Sequence, residues 1–171
     1  MKTVRLALRA RIIAVLMPFA LFAAAAGAED KTVALAAGDV PAAVLTVPSQ
    51  AKIYSNPPKT TIVASGMFLS IWDVPNAANA ADALALVAAT IQGDVLQFQA
   101  VQTNALTVAD APAFHLIGTG VEADDGDPST ADVVVFAVGS HAFMACVHGE
   151  HNDASRERQP MLDALRSVRA P

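Results

Sequence analysis

VVVFAVGSHAFMACV, residues 133–147, consists of two apolar runs of strand length on either side of Gly139-Ser140. Val133 to Val138 is continuous in its apolar character, as expected of a strand covered on both faces. Gly139-Ser140 suits a tight two-residue turn with glycine in the first central position. Ala142 to Val147 then returns, again apolar on both faces. A two-residue turn fixes the register, setting Val138 opposite His141 and Phe136 opposite Phe143. A slip by one residue would send every side chain to the wrong face.

Working outward, strand and helix signals arrange themselves around this hairpin. Upstream, residues 29–42 are Ala-rich and weakly patterned, a flexible start followed by a first edge strand. Ala43 to Val47 reads as a strand ended by Pro48-Ser49, and Asn56-Pro57-Pro58 as a breaker. Thr60 to Ala64 and Met67 to Asp73 are two strands joined through Ser65-Gly66. From Asn79 to Gln92 the period changes. Ala80, Ala83, Leu84, Val87, Ala88 and Ile91 form one helical stripe, with Asn79 as cap, Asp82 in the first turn and Gly93 as stop. Strands follow at Val95 to Val101, Ala105 to Val108 and Phe114 to Val121, with Asp110-Ala111-Pro112 as a break. An acidic loop runs from Glu122 to Asp132. Ser155 to Val168 closes the chain as a helix with Met161, Leu162, Leu165 and Val168 on one stripe, Pro160 falling near its first turn. Strand-rich connections with hairpin turns and two helices predict an α+β fold: an antiparallel sheet flanked by two helices.

With that order of elements, "ADAPAFHLIGTG" (109–120), the hairpin at 133–147 and the closing "PMLDALRSVRAP" (160–171) resemble the PsbP/Mog1-type α/β/α sandwich. The resemblance is topological, carries no diagnostic motif and covers roughly residues 43–171. It implies a small exported or lumenal protein. Members are mostly binding or accessory proteins without shared catalytic apparatus, so no catalytic residue is implied here.

The N-terminus predicts export. Lys2, Arg5, Arg9 and Arg11 form a positive start, Ile12 to Ala26 carries no charge, and Ala26-Gly27-Ala28 ends in the small-x-small pattern that signal peptidase reads. This places a signal peptide at 1–28 and a single globular domain at 29–171, working in the periplasm or secreted. The apolar run is shorter than the ~20 residues a membrane span needs, and no cysteine follows it to take a lipid, so no stable membrane anchor is expected. Those four basic residues are part of a total of eleven, while all sixteen acids follow residue 28. Seven basic side chains then face sixteen acidic ones, a formal charge of −9. Such a balance argues against sequence-independent nucleic-acid binding, which is built on clustered Lys and Arg. Cys146 is the single cysteine, so no internal disulfide exists, and its apolar neighbours predict a buried thiol.

The segment Cys146-Val-His-Gly-Glu-His151 is where chemistry could concentrate. On a strand, Cys146, His148 and Glu150 share one face, and all three are ligand types for a transition metal. His151 follows His148 by three, a spacing for a turn rather than a strand, so at most two ligands converge. A third would have to come from His115 or His141. Two ligands leave a divalent ion mostly hydrated, and a tight metal site is not expected; otherwise the segment is a polar loop leading to the last helix. Cys146 as nucleophile with His148 as base would put Cα atoms ~7 Å apart along the strand, where proton transfer needs ~3 Å between heavy atoms. The acidic loop Glu122-Ala-Asp124-Asp125-Gly126-Asp127-Pro128 fails the EF-hand register, since Gly126 in sixth place puts Val121 in first, which leaves a looser calcium loop or a solvated connection. Trp72 at a strand end is packing or the rim of a ligand groove, and Tyr54 is the one tyrosine.

The expected function is that of an exported, non-enzymatic binding or accessory protein with an unidentified protein or small-molecule partner and no cofactor. A periplasmic metal binder using Cys146, His148, Glu150 and His151, and a small enzyme without recognisable motif, are the alternatives.

Overall fold

The computed structural model describes residues 30–64, 66–149 and 154–171. The proposed signal segment and the pair Glu150 and His151 lie outside the described residues. The central hairpin forms in the expected register. β8 (Pro128–Val138) and β9 (His141–Gly149) pair antiparallel with Val138 opposite His141 and Phe136 opposite Phe143. Gly139 takes φ +60° at the tip, open to it because it has no Cβ.

Around that hairpin stands a seven-stranded antiparallel sheet. β3 (Lys52–Asn56), β4 (Lys59–Ala64) and β5 (Met67–Asp73) lie on one side of β9, while β7 (Ala111–Glu122) and β6 (Val95–Val108) follow β8 on the other. The order is β3-β4-β5-β9-β8-β7-β6. β1 (Lys31–Ala37) and β2 (Val40–Val47) make a two-stranded sheet of their own. β2 is tied to the C-terminal tail: Val44 and Arg169 exchange backbone hydrogen bonds of 2.9 and 3.0 Å, and Thr46 N–H donates to Ser167 Oγ at 2.7 Å. The strand expected at Ala43 to Val47 is the greater part of β2, which starts at Val40, and β1 lies ahead of it where a flexible start and an edge strand were expected.

Alternation along the strands divides the core. Val134, Phe136, Phe143, Ala145 and Val147 pack with Leu35 and Leu45 of the small sheet and with Met161, Leu165 and Val168 at the C-terminus. Val133, Val135, Met144 and Cys146 pack instead with Ala83, Val87 and Ile91. Both faces of β8 and β9 are thus covered, which accounts for two runs without polar interruption.

Several expectations are corrected. The helix over Asn79–Gln92 is two short helices, α1 (Ala80–Leu84) and α2 (Val87–Ile91). Leu86 N–H donates to Ala83 O at 2.9 Å, a tightened turn that interrupts the α pattern yet keeps Ala80, Ala83, Val87 and Ile91 on the buried side. Asn79 does cap α1, its Oδ1 accepting from Asp82 N–H at 3.0 Å. α3 (Ala154–Arg166) starts within a residue of the expected Ser155 and ends two residues before Val168, with Pro160 inside it and exposed rather than near its first turn. β6 is one strand rather than two, accommodated by register shifts between Leu96 and Gln99 and between Ala100 and Gln102. Gly118 and Gly120 on β7 make room for it. A Cβ at Gly118 would meet the Gln99 carbonyl, and one at Gly120 would meet the Leu96 carbonyl at 2.7 Å. The acidic connection is also shorter than expected, since β8 begins at Pro128.

Phe136 and Phe143 are at most 1% exposed and stack with centroids 5.5 Å apart. Either substitution to Ala should cost about 3–5 kcal/mol through the cavity left behind, measured by urea unfolding. A loss under ~1 kcal/mol at both, the scale of a surface change, would contradict this packing. The β6–β7 turn holds Ala109 and Asp110 at φ +49° and +60°. Because asparagine tolerates this region better than alanine, Ala109→Asn should raise stability by about 1 kcal/mol in the same assay.

Candidate functional site

The face of the sheet carrying the even-numbered residues of β5 and β9 opens into a cleft of about 230 Å³. Its floor comes from β4, β5 and β9. Thr61 lies directly opposite Ser70, Lys59 opposite Trp72, and Phe68 opposite His148. Its rim comes from the turn after α2, with Gly93 and Asp94, and from the end of β7, with Glu122, Ala123 and Asp124. The two rim segments are pinned together, since Ala123 N–H donates to the Asp94 carbonyl at 3.0 Å.

His148 sits at the centre, buried, with both ring nitrogens on carboxylates. Nδ1 donates to Glu122 Oε2 at 2.9 Å and Nε2 to Asp94 Oδ2 at 3.2 Å. A ring with both nitrogens donating is imidazolium. Burial alone would lower the His148 pKa, but the Asp94 hydrogen bond and the charges of Glu122 and Asp94 outweigh it and raise the pKa above its ordinary value. Burial likewise works against the Asp94 carboxylate, and hydrogen bonds from His148 and Lys59 reverse it, holding Asp94 well below the usual carboxylate range. Lys59 pairs with the other Asp94 oxygen and lies over the Trp72 ring, 5.2 Å from its centroid. Ser129 donates to the other Glu122 oxygen. Phe68 stacks on His148 at 5.4 Å with 17° between planes.

The predicted site residues fare unequally. Cys146 and His148 share a face as expected, but the thiol is sealed beneath the cleft, and burial together with the nearby carboxylates pushes its pKa far up. That environment opposes a thiolate nucleophile. His115 stands on the opposite face, its Nε2 2.7 Å from Asp132 Oδ1, and Asp132 in turn accepts from Arg158 at 2.8 Å. His141 is exposed at the hairpin tip, at the far end of β9. Neither reaches His148. Glu122 turns inward to His148 rather than serving a calcium loop, and Asp125 Oδ1 accepts from Asp127 N–H at 2.9 Å to close the turn. Among the described residues, no group of three or more His, Cys, Asp or Glu side chains is arranged to hold a metal ion.

Lys59, Thr61, Phe68, Ser70 and Asp94 were not singled out from the sequence. One local signal existed: in β5, Phe68, Ser70 and Trp72 alternate with Met67, Leu69 and Ile71. This puts a hydroxyl between two aromatics on one face.

No protein-family model matches the sequence, and no curated protein matches it. The fold is nevertheless of the PsbP/Mog1 type. The chain is similar to the solution structure of cyanobacterial PsbP (CyanoP) from Synechocystis sp. PCC 6803, with TM-score 0.58 and 11% identity, covering 91% of this chain and 100% of that one. It is also similar to the Saccharomyces cerevisiae Ran-binding protein Mog1p, with TM-score 0.55 and 11% identity over 83% of this chain and 95% of that one. A Bacteroides thetaiotaomicron protein matches with TM-score 0.56 and 12% identity over 82% of this chain. The chain spans 48% of that protein's length. At these identities the likeness concerns the fold alone. Among the described residues, no helix is long and apolar enough to cross a membrane.

The raised His148 pKa sets a pH dependence. Stability contributed by its contacts to Asp94 and Glu122 is complete below about pH 6.5, the ordinary histidine value, and is lost as pH rises through the folded value. The urea midpoint of the protein should therefore exceed that of His148→Gln at pH 6 and converge toward it in alkali. NMR titration should place the His148 pKa above 6.5.

Proposed function

We propose that this chain is an exported binding or accessory protein, without enzymatic activity, that engages its ligand or partner at the cleft around His148. Residues 1–28 act as a cleaved signal peptide and 29–171 as one domain in the periplasm or outside the cell. The architecture is read as an α/β/α sandwich. The core cluster containing Ala83, Val87 and Ile91 supports one helical layer, and the cluster containing Met161 and Leu165 supports the other.

The observation that carries this reading is the preformed, charge-balanced cluster of Lys59, Asp94, Glu122 and His148 in a concave site. Buried charges are costly unless paired, and Asp94, Glu122 and His148 with the partly exposed Lys59, gathered along a cleft, make a site rather than a core. Mog1p offers a parallel for binding on this fold, being a Ran-binding protein. For the metal-binding alternative, His148 would have to leave two carboxylates before it could ligate.

Two measurements test the proposal. Intact mass of the protein recovered from the periplasm should begin at Glu29, whereas a mature chain retaining Arg9 would overturn export by cleavage. Amide NMR of the exported protein against a panel of small polar fragments should concentrate shifts at Lys59, Thr61, Phe68, Ser70 and His148. Shifts that gather elsewhere and spare these residues would overturn the assignment of the cleft.

A further inference from the structure

The cleft also restricts what it can hold, and this inference rests on reading it as a binding site. At about 230 Å³ it falls below the ~300–1,000 Å³ of pockets for drug-sized ligands, so the occupant is small or is the end of a larger molecule. Lys59 and imidazolium His148 are balanced by the Asp94 and Glu122 carboxylates. The inner cluster therefore has no excess charge to draw an ion, and an entering ion would have to break contacts already made.

What remains available is of another kind. Ser70 is 1% exposed, and its Oγ has no hydrogen-bond partner among the described residues. It is near enough to Asp94 to favour the carboxylate's charge, yet makes no hydrogen bond of ordinary geometry. An unpaired buried hydroxyl carries a desolvation penalty that a ligand's hydroxyl would remove. Thr61 stands directly opposite Ser70, and Tyr54 opposite Thr61, so one row of side chains on one face leads from the cleft outward. Tyr54 is 58% exposed and Phe68 41%, the exposed aromatic side chains among the described residues, and both belong to this face. Polar groups in the cleft beside the Phe68 ring, with Tyr54 farther out on the same row, suit a molecule with a hydroxyl-bearing edge and an apolar C–H face.

We propose that the cleft binds a neutral saccharide ring. Its hydroxyls meet Ser70, Thr61 and the carboxylate oxygens of Asp94 and Glu122, and its apolar face lies on Phe68. The ring is a free sugar or the terminal residue of a glycan, and the two sources share this chemistry.

Calorimetry and amide NMR on the exported protein test it with glucose, galactose, N-acetylglucosamine, maltose and N,N′-diacetylchitobiose. Acetate, phosphate and ethanolamine serve as charged probes. Saturable binding of at least one neutral sugar is expected, with shifts at Thr61, Phe68 and Ser70. Tighter binding of disaccharides than monosaccharides would identify a glycan end, and equal binding a free sugar. Ser70→Ala removes only a hydroxyl; with the amide spectrum checking that the fold is kept, it should weaken binding about tenfold. Phe68→Ala should weaken it by a similar factor. Binding of a charged probe in the cleft with no sugar bound would overturn the saccharide and leave the cleft as a binding site. Sugar binding unchanged by Ser70→Ala would overturn the assigned contacts. Absence of any shift in the cleft with every probe would overturn both readings.

Discussion

Burial of β8 and β9 on both faces is the constraint from which the rest of the architecture follows. Two strands with no polar side of their own cannot lie at a surface, so the chain must place apolar material above and below them. One side receives the small β1–β2 sheet and the closing helix, through Leu35, Leu45, Met161 and Leu165. The other receives α1 and α2, through Ala83, Val87 and Ile91. α1 meets β7, β8 and β9, and α2 meets β6 and β9. Toward β4 and β5 the same face is left open, and there the cleft lies.

The open part cannot be apolar throughout, and its polar groups are made mutually dependent. His148 needs Asp94 and Glu122 to stay charged when buried, and Asp94 needs His148 and Lys59 for the same reason. Removing one member leaves the others buried without compensation, which is more damaging than the pair is stabilising. The cluster thereby fixes the rim loops against the sheet. In physical terms this is preorganisation: the groups that would meet a ligand are oriented before it arrives.

How much of this was legible in the sequence depended on whether a signal was local. The Val138–His141 register was, because a two-residue turn leaves no freedom. The strand Lys52–Asn56 was not: all five residues are exposed, so no burial pattern marks them. The helix at 79–92 kept its stripe but lost its continuity, since the tightened turn at Ala83–Leu86 preserves the spacing from which the helix was inferred. In the site, the chemistry of His148 was visible and its partners were not. Asp94 lies 54 positions away and Glu122 26, and nothing along the chain announces contacts made only by strand pairing and loop placement. Glu150 and His151, which the sequence grouped with His148, lie outside the described residues; among the described residues, His148 meets Glu122 and Asp94.

Every neighbouring pair in the large sheet is joined by consecutive strands except one, β5 with β9. Across that seam lie the Phe68–His148 stack and the pairing of Ser70 with Cys146. The three-stranded piece before it and the four-stranded meander after it can each form from short-range contacts, whereas joining them closes a loop running from Asp73 to Phe143. Loop-closure entropy is therefore concentrated at the place where the cleft is built. The cleft exists only once the two halves have met, and a partial opening along this seam would take it apart while leaving both halves locally intact.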